Sequence, residues 1–429
     1  MDKKPHIVII GAGFGGVYAA KHLLKELGDA AEITLINRDN YFLFTPLLHE
    51  VATGSLSHQS VIEPIAEIFR GTHVHFAETD VHRIDFENKT VEAEDRSFTY
   101  DYLVVASGAE TNTYGIPGVK ENAYPLKTLS DSIMLRTRII DSVKRAAQSN
   151  DYDDRKRLLS FVVVGAGPTG VELVAELAEF VYQVAKSYYS NALAAHEISI
   201  SLIASSADIV PQFSPKVRAK ASSVLQKKDI QIFLGTAVSK ISVDGVYINE
   251  KPKGSETPET RFVTAGTVIW VAGIEPALPE MKGEAHMHKS GRLMVNEFLQ
   301  IEGHTETFAL GDGAILPLKE GDMPVPQLAQ TATQEAKIVA KNISLLIEAG
   351  IDPKKAVLVP FKLRLKGMLL SLGSGQATGD IFGMHPSGPL MWFIWRTIYL
   401  FKFIPWRKRL SIVVEWTINL FSPRDISEV

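Results

Sequence analysis

The sequence predicts an α/β fold, because the chain twice passes from an apolar strand through a glycine-rich turn into a helix. The first turn, residues 11–16 (GAGFGG), follows the apolar residues 6–10, and the second, residues 165–170 (GAGPTG), follows residues 161–164. The glycines of this pattern allow a sharp turn and let a pyrophosphate approach the backbone amides at the start of the helix. We therefore predict two Rossmann-like dinucleotide-binding domains, followed by C-terminal amphipathic membrane-associated helices.

Two such turns in one chain indicate that the protein binds two dinucleotides. A flavin and a nicotinamide nucleotide are the natural pair, and together they predict an electron-transfer enzyme. The alternative is a pair of glycine-rich turns that bind no ligand.

Composition excludes several other classes of protein. The length of 429 residues suggests about two to three domains, and 22% charged residues against 45% hydrophobic residues are typical of a globular chain. A net charge of −4 gives no reason to expect a nucleic acid partner. The chain has no cysteine, which excludes a disulfide scaffold, a thiolate metal site and a dithiol active site. The histidines show no metal-like grouping, so we expect no metal.

The chain shows no targeting or membrane-spanning segment. The first strand begins five residues after Met1, so we expect no signal peptide. No run of 18 uncharged apolar residues occurs, so we expect no transmembrane helix.

The first β-α-β unit consists of residues 6–10, a helix near residues 14–27 and a strand at residues 32–37. An acidic residue usually ends the second strand of such a unit and binds the adenosine ribose. Here that position holds Asn37, which can still hydrogen-bond a hydroxyl group but carries no charge.

Further strands are expected along the rest of the first unit. Residues 40–48 (NYFLFTPLL) are apolar without a regular period, and are either a loop packed on the core or a segment that passes the flavin ring. Strands follow near residues 73–77, 81–86 and 89–93. Residues 102–109 predict a buried parallel strand that ends in small residues, which allow close approach to a cofactor.

A helix from residue 131 precedes a charged stretch at residues 150–157 (NDYDDRKR), which we interpret as a solvated linker rather than an acidic binding site. The second unit starts at about residue 158, and its second strand covers residues 197–203. The long interval before that strand predicts an extended helix or an insertion around residues 178–195.

The second strand of this unit ends at Ala204, Ser205 and Ser206, again without the acidic ribose ligand. No Arg or Lys adjoins them in sequence, so the choice between NADH and NADPH stays open. Residues 250–262 predict a hairpin tip or mobile loop, and residues 267–273 predict another buried strand.

A late strand, residues 308–313 (FALGDG), predicts the second half of the flavin site. The carboxylate of Asp312 can accept hydrogen bonds from ribityl hydroxyls. A helix N-cap is the alternative role for this aspartate.

These residues resemble the type II NADH dehydrogenases, also called alternative NADH:quinone oxidoreductases. The resemblance covers essentially the whole chain and rests on residues 40–48, 107–112 (SGAETN), 115–118 (GIPG), 165–172 (GAGPTGVE), 309–312 (ALGD) and 329–335 (AQTATQE). The last of these segments and the tryptophan-rich tail are the most specific.

The resemblance implies FAD in the first unit and NADH in the second, with NADPH not excluded. The candidate cofactor-binding residues are Gly11, Gly13, Gly16, Asn37, Arg38, Thr45, Pro46, Ala106, Gly108, Gly311, Asp312, Gly165, Gly167, Gly170, Ser205 and Gly273.

Four further residues are candidate catalytic groups. Glu172 lies near the start of the second helix, where it either favours the helix dipole or, as the resemblance implies, lies close to the nicotinamide and flavin. Gln330 and Gln334, four apart on one helix, form either a polar face or a pair of amide groups for a quinone substrate. Lys366 resembles a family lysine near the flavin, where a cation would stabilise the reduced anion; a surface lysine is the alternative.

The tail, residues 389–421, holds four of the five tryptophans: Trp392, Trp395, Trp406 and Trp416. Its basic residues are Arg396, Lys402, Arg407, Lys408 and Arg409, and an apolar stripe runs through Leu410, Val413, Val414, Thr417 and Phe421. Tryptophan rings at headgroup level and cations that attract anionic lipids predict two helices, separated by Pro405, on a membrane surface. Packing on the core is the alternative, and a homodimer contact can coexist with membrane binding.

We predict an FAD-binding domain (residues 1–120 and 300–345), an NAD(P)H-binding domain (158–290) and a membrane-association region (346–429). The predicted enzyme passes a hydride from NADH to FAD and two electrons to a respiratory quinone. It does so without proton pumping, peripherally, on the cytoplasmic face of the inner membrane. The alternatives are a soluble NAD(P)H-dependent reductase of a ferredoxin- or rubredoxin-type carrier and an apoptosis-factor-like redox-gated binding flavoprotein.

Overall fold

The computed structural model describes residues 4–250, 259–317, 325–350, 355–403 and 405–427. The chain forms two compact units. Unit 1 comprises Met1–Leu43, Ile62–Glu110 and Ile274–Leu365. Unit 2 comprises Phe44–Val61, Thr111–Gly273 and Lys366–Val429. The predicted domains were defined by the ligand that each would bind, and in that sense they stay a prediction.

The helices are α1 (Phe14–Leu27), α2 (Leu48–Ala52), α3 (Ile65–Ile68), α4 (Val119–Asn122), α5 (Leu129–Gln148), α6 (Tyr152–Leu158), α7 (Pro168–Tyr188), α8 (Pro215–Lys227), α9 (Ala329–Ala349), α10 (Pro389–Leu400) and α11 (Trp406–Phe421). The strands are β1 (His6–Ile10), β2 (Glu32–Asn37), β3 (Tyr41–Leu43), β4 (Ile62–Pro64), β5 (Val74–Glu78), β6 (Val81–Asp85), β7 (Thr90–Ala93), β8 (Ser97–Thr99), β9 (Tyr102–Val105), β10 (Ala109–Thr111), β11 (Ala123–Pro125), β12 (Ser160–Val164), β13 (Ser199–Ile203), β14 (Ile230–Phe233), β15 (Ala237–Ser242), β16 (Gly245–Glu250), β17 (Glu259–Thr264), β18 (Thr267–Trp270), β19 (Ile274–Pro276), β20 (Glu280–Lys282), β21 (Leu293–Met294), β22 (Thr307–Ala309), β23 (Ala314–Ile315), β24 (Met368–Ser371), β25 (Ala377–Asp380) and β26 (Ser387–Gly388).

Unit 1 is built on a five-stranded parallel sheet in the order β22-β9-β1-β2-β5. The central strands β1, β2 and β9 are mostly apolar and buried, as is typical of a parallel sheet. Helices α1 and α9 pack against each other. In register, Ile10 of β1 pairs with Ile36 of β2 and with Val105 of β9. The carboxyl ends of these strands therefore meet at one edge, where the first glycine turn begins.

Unit 2 repeats this construction with the parallel order β11-β18-β12-β13-β14. Val164 at the end of β12 pairs with Ile203 of β13 and with Trp270 of β18. The second glycine turn therefore starts at the carboxyl edge of this sheet. The predicted α/β fold with two Rossmann-like units is confirmed, and α7 is the extended helix that the spacing predicted.

Residues 150–157 are largely solvated, as predicted, but most of them form the helix α6 and not a linker. Asp151 caps α6 by accepting a hydrogen bond from the Asp154 amide at 2.9 Å, and Leu158 at its end is buried. Arg155 pairs with Glu197 at 2.5 Å. The charged stretch is therefore a short helix held by paired charges.

The predicted hairpin at residues 250–262 is present in its strands. β16 and β17 pair antiparallel up to Glu250 and Glu259. The predicted tip, residues 251–258, lies outside the described residues.

The C-terminal part of unit 2 holds the antiparallel strands β24, β25 and β26, followed by α10 and α11. Two helices flank Pro405, as predicted. In the described part of the chain, none of the helices has the length and apolar character needed to cross a membrane.

Candidate functional site

The first glycine turn in unit 1 has the shape that a bound pyrophosphate requires. Gly11 has φ +95°, and a Cβ atom there would lie 2.4 Å from the Ala106 carbonyl oxygen. A Cβ at Gly16 would lie 1.8 Å from the Gly11 carbonyl oxygen, whereas a Cβ at Gly13 would meet nothing within 4 Å. The first and last glycines therefore close the turn, and the middle glycine leaves open space beside the helix N-terminus.

The second glycine turn in unit 2 has the same geometry. Gly165 has φ +114°, and a Cβ there would lie 2.6 Å from the Val271 carbonyl oxygen. A Cβ at Gly170 would lie 1.8 Å from the Gly165 carbonyl oxygen, and Gly167 is again open. The residues present fit a dinucleotide in each unit.

Asn37 ties the end of β2 to the first glycine turn. Its Oδ1 accepts a hydrogen bond from the Ala12 amide at 2.9 Å, and its Nδ2 donates to the Asp39 carbonyl at 2.7 Å. Its neighbour Arg38 is exposed and lies 3.6 Å from the Asp39 carboxylate. Asn37 thus supports the turn, in addition to the ribose contact predicted for it.

The late strand of unit 1 brings Asp312 to the same sheet edge. The Leu310 amide donates to the Val105 carbonyl at 3.1 Å, and the Ala106 amide donates to the Ile10 carbonyl at 2.9 Å. Gly311 and Asp312 then form a 3₁₀ turn. Ala106, Gly108, Gly311 and Asp312 are therefore grouped, as predicted, at the carboxyl ends of β9 and β22.

Sequence reasoning missed two charged residues beside Asp312. Glu335 on α9 is buried, and its Oε2 accepts a hydrogen bond from the Gly311 amide at 2.7 Å. Burial raises the pKa of Glu335 to about 7, assisted by the Asp312 carboxylate and opposed by the Gly311 hydrogen bond and Arg292. Arg292, Asp312 and Glu335 line one pocket with Thr331, whose buried Oγ1 has no hydrogen-bond partner among the residues described. No local sequence pattern links Arg292 to α9.

The amide group of Gln334, one of the two predicted glutamines of α9, binds the backbone. Gln334 accepts from the Arg364 amide at 3.1 Å through Oε1, and its Nε2 donates to the carbonyls of Arg364 and Gln330. Its amide group therefore holds a backbone segment of unit 1. Gln330 lies one turn earlier on the helix and is half-buried.

Five other predicted residues of unit 2 lie outside its α-helices and strands. Thr45 and Ser205 are exposed, Pro46 is half-buried, and Lys366 is exposed at the start of the C-terminal segment. Gly273 allows the Tyr114 ring to approach, since a Cβ there would lie 2.1 Å from the Tyr114 hydroxyl.

Glu172 is buried in α7 and accepts a hydrogen bond from the Ser371 amide at 2.9 Å. Burial raises the pKa of Glu172 to about 8, because water cannot stabilise the carboxylate and the carboxyls of Glu50 and Glu176 lie nearby. Glu172 therefore holds a proton at neutral pH.

Glu50 and Glu176 form, with Glu172, a buried acid cluster that the sequence did not predict. The Trp416 Nε1 donates to Glu50 at 2.6 Å, and Arg424 pairs with Glu176 at 2.6 Å. Burial raises the pKa of Glu50 to about 7. Trp416 and Arg424, near the end of the chain, thus supply partners for buried carboxyl groups on α2 and α7.

The tail helices expose an apolar face. On α11 the predicted stripe is exposed, with Phe421 85% and Leu410 56% exposed. On α10 the exposed apolar residues are Leu390, Phe393, Ile394 and Ile398. The opposite faces of the two helices are buried against unit 2.

The prediction that the tail tryptophans lie at headgroup level is wrong for three of the four. Trp392, Trp395 and Trp416 are buried, and only Trp406 is exposed. Arg396 lies over the rings of Trp392 (3.7 Å) and Trp416 (4.6 Å). The three buried rings therefore lie on the inner faces of α10 and α11. Two of them hold Arg396, a cation expected from the sequence to attract lipid.

Comparison with known proteins gives a consistent result. Residues 5–336 match the model of the pyridine nucleotide-disulphide oxidoreductase family, and residues 365–425 match that of the NDH2 C-terminal domain. The chain is 31% identical to the type II NADH:quinone oxidoreductase Ndh of Mycobacterium tuberculosis, over 98% of this chain and 89% of the relative. It is 30% identical to NdhA of the same organism, over 96% of this chain and 86% of the relative. The chain belongs to the type II NADH:quinone oxidoreductases.

A solved structure of NDH2 from Plasmodium falciparum in complex with RYL-552 shows the same fold. Its TM-score is 0.88 at 23% identity, and the match covers 99% of this chain and 100% of that chain. The family resemblance drawn from the sequence is confirmed. The matched wider family is named for disulphides, but this chain has no cysteine and so cannot form one.

Proposed function

We propose that this chain is a peripheral membrane flavoenzyme that oxidises NADH and reduces a quinone. The pair of glycine turns carries the proposal. Each lies at the carboxyl edge of a parallel sheet, and each has an open middle glycine, Gly13 or Gly167. Two dinucleotides fit these turns, and a chain without cysteine passes electrons to an acceptor other than its own disulfide.

The flavin of this site is proposed to be FAD, bound at the first glycine turn. When bound, it would accept a hydride from the nicotinamide and release two electrons to the acceptor. Gly13 leaves room for its pyrophosphate, and Asp312 supplies an acceptor for ribityl hydroxyls. Glu335 holds the turn that carries Asp312 through the Gly311 amide, and Arg292 lines the same pocket.

NADH is proposed to bind at the second glycine turn, with the pyrophosphate beside Gly167. Ser205 is exposed at the end of β13, where the adenosine ribose lies in this type of domain. Glu172 holds a proton in a buried site of the same unit and is proposed to act near the nicotinamide.

The quinone site is proposed to use Gln330. An amide group donates to a quinone carbonyl without placing a charge in an apolar pocket. Gln334 contributes indirectly, because its amide group already binds the Arg364 backbone. Lys366 is kept as a proposed cation near the flavin.

The exposed apolar faces of α10 and α11 are proposed to rest on the membrane that dissolves the quinone. Exposed apolar side chains in a continuous stripe, flanked by cations such as Arg407, are typical of a helix in the bilayer interface. We place the enzyme on the cytoplasmic face of the membrane and propose that it pumps no protons.

Steady-state assays of the purified yellow protein test this function. With a short-chain quinone as the sole acceptor, NADH should be oxidised with multiple turnovers, and quinol should form in a 1:1 ratio to NADH. Loss of NADH only when a ferredoxin or rubredoxin is added would instead identify a soluble carrier reductase. A single turnover with every acceptor would identify a redox-gated binding protein.

A further inference from the structure

The end of β13 lacks the group that makes a dinucleotide site select NADH. In NAD-binding units an acidic side chain at this strand end binds the ribose hydroxyls and repels a 2′-phosphate. Here the strand is followed by Ala204, Ser205 and Ser206. The Ser206 hydroxyl donates to the Asp208 carbonyl at 2.7 Å, which turns the following residues back toward the glycine turn.

The loop after β13 is fixed against the second glycine turn. The Val210 amide donates to the Ala166 carbonyl at 2.7 Å, and Ala166 lies inside that turn. Val210 adopts φ +39°, a conformation that a β-branched residue rarely takes. A strained residue of this kind persists only where its surroundings fix it, so residues 204–210 form a defined edge of the nucleotide site.

The fold brings a cation, Arg218, to this edge, although Arg218 does not adjoin the strand end in the sequence. Arg218, in the first turns of α8, pairs with the Asp208 carboxylate. The Arg218 side chain is 25% exposed and the Asp208 side chain 54% exposed. The Arg218 Nε is buried and has no hydrogen-bond partner within the described ranges. The guanidinium therefore keeps one buried N–H for which the described residues supply no acceptor, and its counter-ion Asp208 is more exposed than Arg218 itself.

We infer that this chain oxidises NADPH as well as NADH, with Arg218 as the group that binds the 2′-phosphate. An arginine fork matches the geometry of a phosphate, and no carboxylate stands at the strand end to repel it. Asp208 neutralises Arg218 when NADH is bound and turns outward when the 2′-phosphate takes its place. The inference rests on the proposed function, because it concerns the donor used by the same site.

The reaction balances in the same way for both donors. NADPH gives up a hydride, which carries two electrons and one proton, and becomes NADP⁺. The quinone takes up the two electrons with that proton and one more from solvent to give the quinol. No further oxidant or reductant is required.

The test compares kcat/KM for NADPH and NADH in the flavin-loaded enzyme with one short-chain quinone. For the natural chain we expect the two values to agree within about tenfold at neutral pH. Arg218→Ala should lower kcat/KM for NADPH by about 10- to 100-fold, the range expected for charge-assisted hydrogen bonds, and change the NADH value less than about threefold. Asp208→Asn should raise the NADPH value severalfold.

Two further variants control for charge and folding. Lys216→Ala removes an exposed cation from the same helix and should leave the NADPH to NADH ratio unchanged. Ser205→Glu, at an exposed position, introduces a carboxylate near the strand end and should lower kcat/KM for NADPH more than kcat/KM for NADH. Oxidation of NADH without measurable oxidation of NADPH would overturn this inference and leave the proposed function standing. Equal losses for both donors in Arg218→Ala would also overturn it. Failure with both donors in the natural chain would overturn the proposed function itself.

Discussion

At the scale of single residues, the chain buries carboxyl groups whose pKa values are raised to near neutral pH or above. Burial raises the pKa of Glu172 to about 8 in unit 2 and the pKa of Glu335 to about 7 in unit 1. Each accepts a hydrogen bond from a backbone amide, of Ser371 and Gly311 respectively. Buried groups with raised pKa values of this kind are candidates for proton transfer at a functional site.

The raised pKa of Glu172 predicts a stability that depends on pH. Below about pH 4.5 the carboxyl is protonated in both the folded and the unfolded chain, so its contribution is fully present. As the pH rises to about 8, the unfolded chain releases this proton while the folded chain retains it, and the free energy of unfolding falls by roughly 1.4 kcal/mol per pH unit. Glu172→Gln should remove this slope.

The measurement is the thermal unfolding midpoint at pH 6 and at pH 9. Between pH 6 and pH 9 the unfolding temperature of Glu172→Gln should fall by less than that of the natural chain. Glu121→Gln, an exposed substitution in the same unit, serves as the control. A variant that loses as much as the natural chain would show that Glu172 ionises normally.

At the scale of elements, α10 and α11 each carry apolar residues on a buried inner face and on an exposed outer face. The inner faces carry Trp392, Trp395 and Trp416. Arg396 lies over two of these rings, and Trp416 donates to Glu50 of the buried acid cluster. The outer faces keep apolar side chains in solvent, at a cost that only a further partner such as a membrane removes. Removing the whole tail would also remove Trp416 and Arg424 from Glu50 and Glu176. The membrane contact is therefore better tested on the outer face alone.

We expect the double substitution Leu410→Glu and Val414→Glu to reduce binding to vesicles that contain anionic phosphatidylglycerol by at least about tenfold. Both positions are exposed on one face of α11, and carboxylates there oppose insertion and repel the lipid. Co-sedimentation measures the bound fraction. Val243→Glu, at an exposed position of unit 2 outside the tail, should bind as the natural chain does. Unchanged sedimentation of the double variant would contradict the proposed membrane surface.

At the scale of the whole molecule, features formed by adjoining residues were predictable from the sequence, and contacts between residues far apart in the chain were not. The glycine turns were predictable because strand, turn and helix adjoin along the chain, and no other residue fits Gly11 or Gly165. Asp312 was predictable for the same reason. The buried tryptophans were misassigned because periodicity identifies an apolar face without showing which face packs inside.

Pairings that the fold creates lay beyond sequence reasoning. Arg424 meets Glu176 across 248 positions of the chain, and Glu335 meets Gly311 across 24. Arg218 reaches Asp208 because α8, which packs on β14, brings it to the loop after β13. Tertiary packing determines such contacts. They affect the charges at the site more than they affect the fold.

The central claim is that electrons pass from NADH to a flavin and then to a quinone. Anaerobic sequential-mixing stopped-flow spectroscopy tests it most directly. NADH should bleach the flavin absorbance near 450 nm within milliseconds to seconds, in the range of ordinary enzyme turnover, and a short-chain quinone should restore it fully. Gln330→Ala should slow only the second phase. Bleaching by NADH that no quinone reverses would contradict the account.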